Sequence, residues 1–212
     1  MFQQGAIQYI VGMMDRPETS VQLNAIWTIR NTLWRANPDE HRRVFMHMGF
    51  DRFYRLLTST DRQVRQQAII LARNTTTSLQ MFEFIREGLK MQRLFDALAE
   101  GLDIDEDELT LQAACTLDNI ACLIDRRLFL EQGALLVVLK RRVKMRSGRA
   151  RNAVFQLLKS IAGDELGAKG LRERGFDVAI AEALRDADPS GMEVDGGEWK
   201  ITAAQALKML NR

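Results

Sequence analysis

Apolar residues recur every three to four positions along most of this chain, the period of a helix with one buried face. In SVQLNAIWTIRNTLW (20–34), Val21, Ala25 and Ile29 stand four apart and Asn31 follows. The pattern returns in QVRQQAIILARNTTT (63–77), where Val64, Ala68, Ala72 and Asn74 fill the same slots. It returns again in ELTLQAACTLDNIAC (108–122) as Leu109, Ala113, Leu117 and Asn119. From Asn31 to Asn74 is 43 residues, and from Asn74 to Asn119 is 45. A fourth copy, GRARNAVFQLLKSIA, keeps Ala153, Leu157 and Ile161; a fifth, EWKITAAQALKML, keeps Trp199, Ala203 and Leu207. The small residue has a packing reason, since alanine lets neighbouring helices approach closely.

A second signal precedes each copy. A glycine is followed by an apolar helical stretch: Gly5-Ala6-Ile7, Gly49-Phe50, Gly88-Leu89, Gly133-Ala134-Leu135 and Gly175-Phe176. Glycine at such a place ends a short helix and turns the chain. Short amphipathic pieces stand before the last four glycines. They carry Val44, Phe45 and Met48; Met81, Phe82 and Ile85; Leu128 and Phe129; Leu166 and Leu171. Asn37-Pro38-Asp39-Glu40 reads as the start of a short helix and Asp61 as the start of a long one. One unit is therefore short helix, glycine, middle helix, loop, long helix.

A three-helix unit with a period in the forties is the armadillo arrangement. The expected fold is all-α, a right-handed superhelical solenoid of about five repeats forming one domain over 1–212. The repeats fall at about 1–36, 37–78, 79–123, 124–163 and 164–212. The first is incomplete, because Met1 to Gly5 leads directly into a middle helix. Repeats need neighbours to cover their apolar edges. The expectation is a C-terminal part of a longer protein, or a first repeat covered by another subunit.

Composition narrows the function. The chain is 46% hydrophobic and 27% charged, with three prolines, and its net charge is +2. That small charge does not favour a nucleic-acid binder. No apolar run approaches bilayer length and no basic leader precedes the first apolar stretch, so the expected location is cytoplasm and nucleus, without a membrane partner. Cys115 and Cys122 stand seven apart, too far for a disulfide within one helix, and read as small buried hydrophobes. His41 and His47 lack metal-ligand spacing, and the acidic run at 103–108 lacks the glycine of a calcium loop. No nucleophile elbow or phosphate loop is present. No cofactor, metal or catalytic residue is expected.

NAIWTIRNTLW carries a family resemblance. Ala25, Trp27 and Asn31 match the armadillo pattern of small residue, spacer, Trp, three spacers, Asn on the third helix. In importin-α-like members, repeated Trp–Asn pairs hold an extended peptide. Here the Trp slot becomes Ile70, Cys115, Phe155 and Gln205, and the Asn slot becomes Lys159 and Met209 in the last two copies. A narrower resemblance rests on LNAIWTIRN, FYRLLTSTDRQV and LARNTTTS, mainly within 21–78. These segments resemble the C-terminal armadillo region of the scaffold subunit of the GID/CTLH ubiquitin ligase. The resemblance implies a non-enzymatic scaffold in a hetero-complex, bridging a substrate receptor to the ligase core. The alternative is an importin-α-like adaptor for basic peptides, or a generic armadillo protein-binding module.

The candidate site is the stripe of third helices. Asn24, Trp27, Asn31 and Trp34 have one-face spacing, continued by Gln67 and Asn74, Gln112 and Asn119, then Asn152 and Phe155. A carboxamide both donates and accepts, so it can pair with an extended peptide backbone. A neighbouring tryptophan walls a slot for an aliphatic stem or a cation. In the competing reading the asparagines tie repeats together and the tryptophans fill core. A basic edge loop is expected from Arg141, Arg142, Lys144, Arg146, Arg149 and Arg151. The equivalent places hold Asp103, Asp105, Glu106, Asp107 and Glu108 before it and Asp186, Asp188, Glu193, Asp195 and Glu198 after it, giving an acid–base–acid edge. No aromatics interleave with the basic run, which points to charge balance or solvation rather than nucleic acid.

Overall fold

The computed structural model describes residues 4–146, 148–187 and 197–212, and every regular element among them is a helix. The chain divides into two compact units, Met1–Gly101 and Leu102–Arg212. Among the described residues the first repeat contributes a middle helix, α1 (Gln4–Met13), and a long helix, α2 (Thr19–Leu33). The second has all three, α3 (Pro38–Met48), α4 (Phe50–Leu57) and α5 (Arg62–Thr75). The third begins with α6 (Leu79–Leu89) and α7 (Met91–Asp103) and ends with α8 (Asp107–Ala121). Then come α9 (Arg126–Leu130), α10 (Gly133–Arg142) and α11 (Gly148–Ile161), and finally α12 (Glu165–Glu173), α13 (Phe176–Arg185) and α14 (Glu198–Leu210).

Side chains set the helix starts. Asn37 and Glu40 form a reciprocal capping box with Pro38 at the first helical position. Asp61 accepts from the backbone N–H groups of Gln63 and Val64, and Ser78, Asp125 and Asp164 cap α6, α9 and α12 in the same way. Long helices lie against long helices: α2 with α5 in the first unit, and α8, α11 and α14 in a row in the second. The small residue of each copy faces inward: Ala25, Ala68, Ala113, Ala153 and Ala203 are all buried. Gln22, Arg65 and Thr110 occupy one slot of successive repeats. Each donates to a carbonyl six to eight residues earlier: Gln22 to Arg16 O at 2.6 Å, Arg65 to Ser59 O at 2.8 Å, Thr110 to Leu102 O at 3.4 Å. These bonds tie the start of each long helix to the segment that precedes it.

The third repeat corrects the glycine pattern. Gly88 does not make the turn; it lies inside α6. A Cβ there would stand 2.0 Å from the Phe50 ring, so Gly88 is small to admit that ring. Phe50 belongs to a cluster with Phe45, Phe53 and Phe84, in which Phe45 and Phe53 meet edge to face at 5.1 Å. The turn falls on Lys90, at φ 72° and ψ 135°, almost the conformation of Gly49 at φ 75° and ψ 142°. Two apolar assignments also change. Leu166 is exposed on α12, and Cys122 is exposed at the end of α8, while Cys115 is only partly covered. Cys122 follows the last helical residue, beyond the buried face that ends at Ala121.

Lys90→Gly is expected to stabilise the chain by about 1 kcal/mol, because a backbone region suited to glycine no longer carries a side chain. Gly88→Ala is expected to cost about 1–3 kcal/mol through overpacking against Phe50. Urea unfolding of both variants measures the two signs. His41 is buried in α3, and desolvation holds its imidazole below the ordinary value, against smaller opposing effects from the Leu33 backbone and Glu40. The fold thus favours the neutral ring, and stability should be full above about pH 6.5 and fall as pH drops below it. Melting temperature at pH 7.5 and 5.5 should differ less in His41→Gln than in the natural sequence.

Candidate functional site

In the first unit the long helices α2 and α5 leave a surface pocket of about 420 Å³ between them. Its lining is Ser20, Leu23, Asn24 and Trp27 from α2, with Gln63, Gln66 and Gln67 from α5. Four carboxamides therefore surround one indole. Trp27 is 50% exposed and Trp34 60%, whereas Trp199 is 2% exposed. Filling core is thus the role of Trp199 and not of the two tryptophans in the first repeat. Asn31 lies on the surface one turn beyond Trp27. Trp34 stands just past the end of α2, so helical spacing does not fix its direction.

Arg30 organises this surface. Its guanidinium donates to Gln67 Oε1 at 2.5 Å, reaches Asn31 Oδ1 at 3.5 Å and lies 5.8 Å from the Trp27 ring centre. One cation thus links the two long helices and stacks toward the indole. The sequence contained the signal, since Arg30 is three residues from Trp27 and one from Asn31. Asn74, further along α5, is half-buried.

The second unit treats its part of the stripe differently. Gln112 is buried, and its Nε2 donates to Glu108 Oε1 at 2.7 Å, which ties up the amide within its own helix. Phe155 is fully buried and stacks on Trp199 with ring centres 5.7 Å apart. Neither is an open groove residue, because α8, α11 and α14 pack too closely to leave these side chains in water. Asn119 and Asn152 are half-buried, and Lys159 donates to Gln205 Oε1 at 3.0 Å. Asp118 was not in the stripe expected from sequence. It lies one turn beyond Cys115 and shares a pocket of about 310 Å³ with Cys115 and Asn152.

Only part of the basic run is a loop: Lys144 and Arg146 lie between α10 and α11. Arg141 and Arg142 end α10, while Arg149 and Arg151 are in α11. Arg142 is buried and donates to Leu102 O at 2.6 Å, to Asp103 O at 2.5 Å and to Asp105 Oδ1 at 3.3 Å. Arg151 is buried too. It donates to Val143 O at 3.0 Å and Ala183 O at 3.2 Å, with its guanidinium carbon 3.4 Å from the Trp199 ring centre. These two arginines satisfy carbonyls at helix ends, which five fixed donors do well. Arg141 pairs with Asp103, and Lys144 pairs with Glu182 at 2.8 Å, which raises the ammonium and lowers the carboxyl. Arg146 and Arg149 remain exposed. Asp188, Glu193 and Asp195 lie outside the described residues, and Glu198 is the first residue of α14. Among the described residues no helix is long and apolar enough to cross a membrane, and no cluster of three metal-ligating side chains occurs.

No family model matches the chain. Over 124 residues it is 24% identical to Armadillo repeat-containing protein 8 of Pongo abelii, a match that takes in 57% of this chain and 18% of that protein. Among solved structures, a designed armadillo repeat protein in complex with the peptide (KR)4 is similar at a TM-score of 0.78 and 21% identity, with 98% of this chain and 82% of that one covered. Computationally designed armadillo repeat proteins for modular peptide recognition are similar at a TM-score of 0.76 and 20% identity, covering 97% and 82%. The fold is the all-helical armadillo-repeat solenoid.

Within that fold, Arg151→Met and Arg151→Lys are both expected to lose about 1–3 kcal/mol, since neither bonds two carbonyls while lying flat on an indole. Arg146→Ala is expected to stay within about 0.5 kcal/mol of the natural sequence. Denaturant midpoints of the three variants separate the buried from the exposed cations.

Proposed function

We propose that this chain is a non-enzymatic protein-binding module whose first two repeats hold an extended segment of a partner on the α2–α5 surface. The observation that carries the reading is Trp27, half exposed amid Asn24, Gln63, Gln66 and Gln67. A large aromatic left in water is a natural anchor for an interface. The amides around it offer donors and acceptors to a peptide backbone at either polarity. The armadillo fold supports the reading, and so does the peptide complex of a designed protein that shares it.

Arg30 shapes what binds there. The slot beside Trp27 already carries a guanidinium, held by Gln67. A lysine or arginine entering the same slot would meet like charge, whereas a neutral or acidic side chain would not. This argues against an importin-α-like role for the Trp27 position. The assembly we propose is a GID/CTLH-type ubiquitin ligase, with the chain as scaffold between a substrate receptor and the catalytic subunits. That choice rests on the resemblance of residues 21–78.

Affinity purification of the tagged protein, followed by mass spectrometry, tests both levels. RING-type ligase subunits are the expected partners; import factors in their place would overturn the assembly. Trp27→Ala with Asn31→Ala should weaken recovery of a direct partner about tenfold or more, in line with the loss of an aromatic anchor. Equal recovery by the double variant would remove the α2–α5 surface from the account.

A further inference from the structure

Short helices stack on the repeat before them. In the first unit α6 rests on both α3 and α4, and in the second α12 rests on α9. The preceding short helix supplies an apolar side chain each time. Phe45 of α3 meets Phe84 of α6 edge to face, with 6.3 Å between ring centres. Leu130 of α9 closes over Gly170 of α12, where a Cβ would stand 2.4 Å from the leucine Cδ1. Phe84 and Gly170 lie six and five residues before the residue that joins short helix to middle helix. On α3, counted back from Gly49, those two places are Arg43 and Val44. The middle helix α1 lies beside α3, but among the described residues no preceding short helix does. A pocket of about 230 Å³ stands there instead. Ile7 of α1, Leu33 at the end of α2 and Val44 of α3 form an apolar floor, and Glu40 and Arg43 border it. Met46, one turn beyond Arg43, is 73% exposed.

We propose that this pocket receives a short amphipathic helix of a separate partner polypeptide, in the position that a short helix holds in the later repeats. Three turns suffice, since α6 has 11 residues and α12 nine. The anchor is a leucine or phenylalanine over Ile7, Leu33 and Val44, the part that Leu130 and Phe45 play further along. The second feature is a carboxylate beside Arg43, which is exposed. Glu40 does not supply it, because its side chain accepts from the Asn37 N–H at 3.1 Å. Met46 offers the next turn of the partner an apolar contact. The rim identifies a partner that binds and leaves. On α6, which stays covered, the places of Glu40 and Arg43 are held by Met81 and Phe84. An apolar floor inside a charged rim suits an interface that also meets water. The pocket shares no residue with the one around Trp27 and does not depend on it.

The test selects, against the full chain, from a phage library of three-turn helices with one randomised face. The helices recovered should share an apolar anchor and an acidic residue one turn from it. Their synthetic peptides are then titrated by fluorescence anisotropy. Replacing the anchor by alanine should weaken binding tenfold or more. Ala36→Leu, which narrows the pocket, should do the same. Arg43→Glu should weaken binding about three- to tenfold, with recovery when the peptide's acid becomes lysine. Trp27→Ala with Asn31→Ala should change nothing. Should Ala36→Leu lose the native circular dichroism spectrum, Arg43→Glu with its reversed peptide decides. Peptides indifferent to Ala36→Leu and Arg43→Glu overturn this inference; if the double variant loses them, the α2–α5 surface holds them. A selection that yields no helix overturns it too. So does a dimer in sedimentation that Arg43→Glu dissolves, since a second copy then takes the place.

Discussion

Close contact between successive long helices is the constraint on which the other features depend. Each of these helices carries a buried alanine in the same slot: Ala25 and Ala68 in the first unit, Ala113, Ala153 and Ala203 in the second. A larger side chain would push the helices apart and open the core to water. With the helices side by side, residues one or two positions from the alanine, off its buried face, are brought to a shared outer stripe. Trp27, two residues past Ala25, then stands beside Gln67, one residue before Ala68. The surface is thus a consequence of packing beneath it.

The charged side chains divide by what the helix ends require. Arg65, Arg142 and Arg151 are buried because carbonyls at helix ends and turns need donors away from water. Arg141 and Lys144 neutralise carboxylates at the surface, where such pairs contribute little to stability. A run that looks uniformly basic in the sequence therefore presents much less charge to a partner than its count suggests.

The surfaces over the long helices differ between the two units because their alanine neighbours differ. Between α2 and α5 the flanking residues are long amides and an indole, which project and leave a polar hollow. Between α8 and α11 the corresponding Trp slots hold Cys115 and Phe155. Phe155 turns inward onto Trp199, and the surface that remains is bordered by Asp118 and Asn152. One repeat architecture thus carries an amide-lined hollow in the first unit and a more mixed, partly acidic one in the second.

Much of this was legible in the chain. A period in the forties, the recurring alanine and the caps at Asn37 and Asp61 determine the number and order of helices, because each acts within one turn or along one face. The placing of Asn24, Trp27 and Asn31 on one face of α2 also followed from helical spacing. Tertiary structure decided the rest. That Gly88 yields to Phe50 while Lys90 makes the turn depends on a ring nearly forty residues away. The burial of Phe155 and Arg151 beneath the surface depends on Trp199, across the acidic segment. Spacing fixes which side of its own helix a residue occupies; whether that side meets water depends on the neighbour packed against it, and the neighbour is distant in sequence.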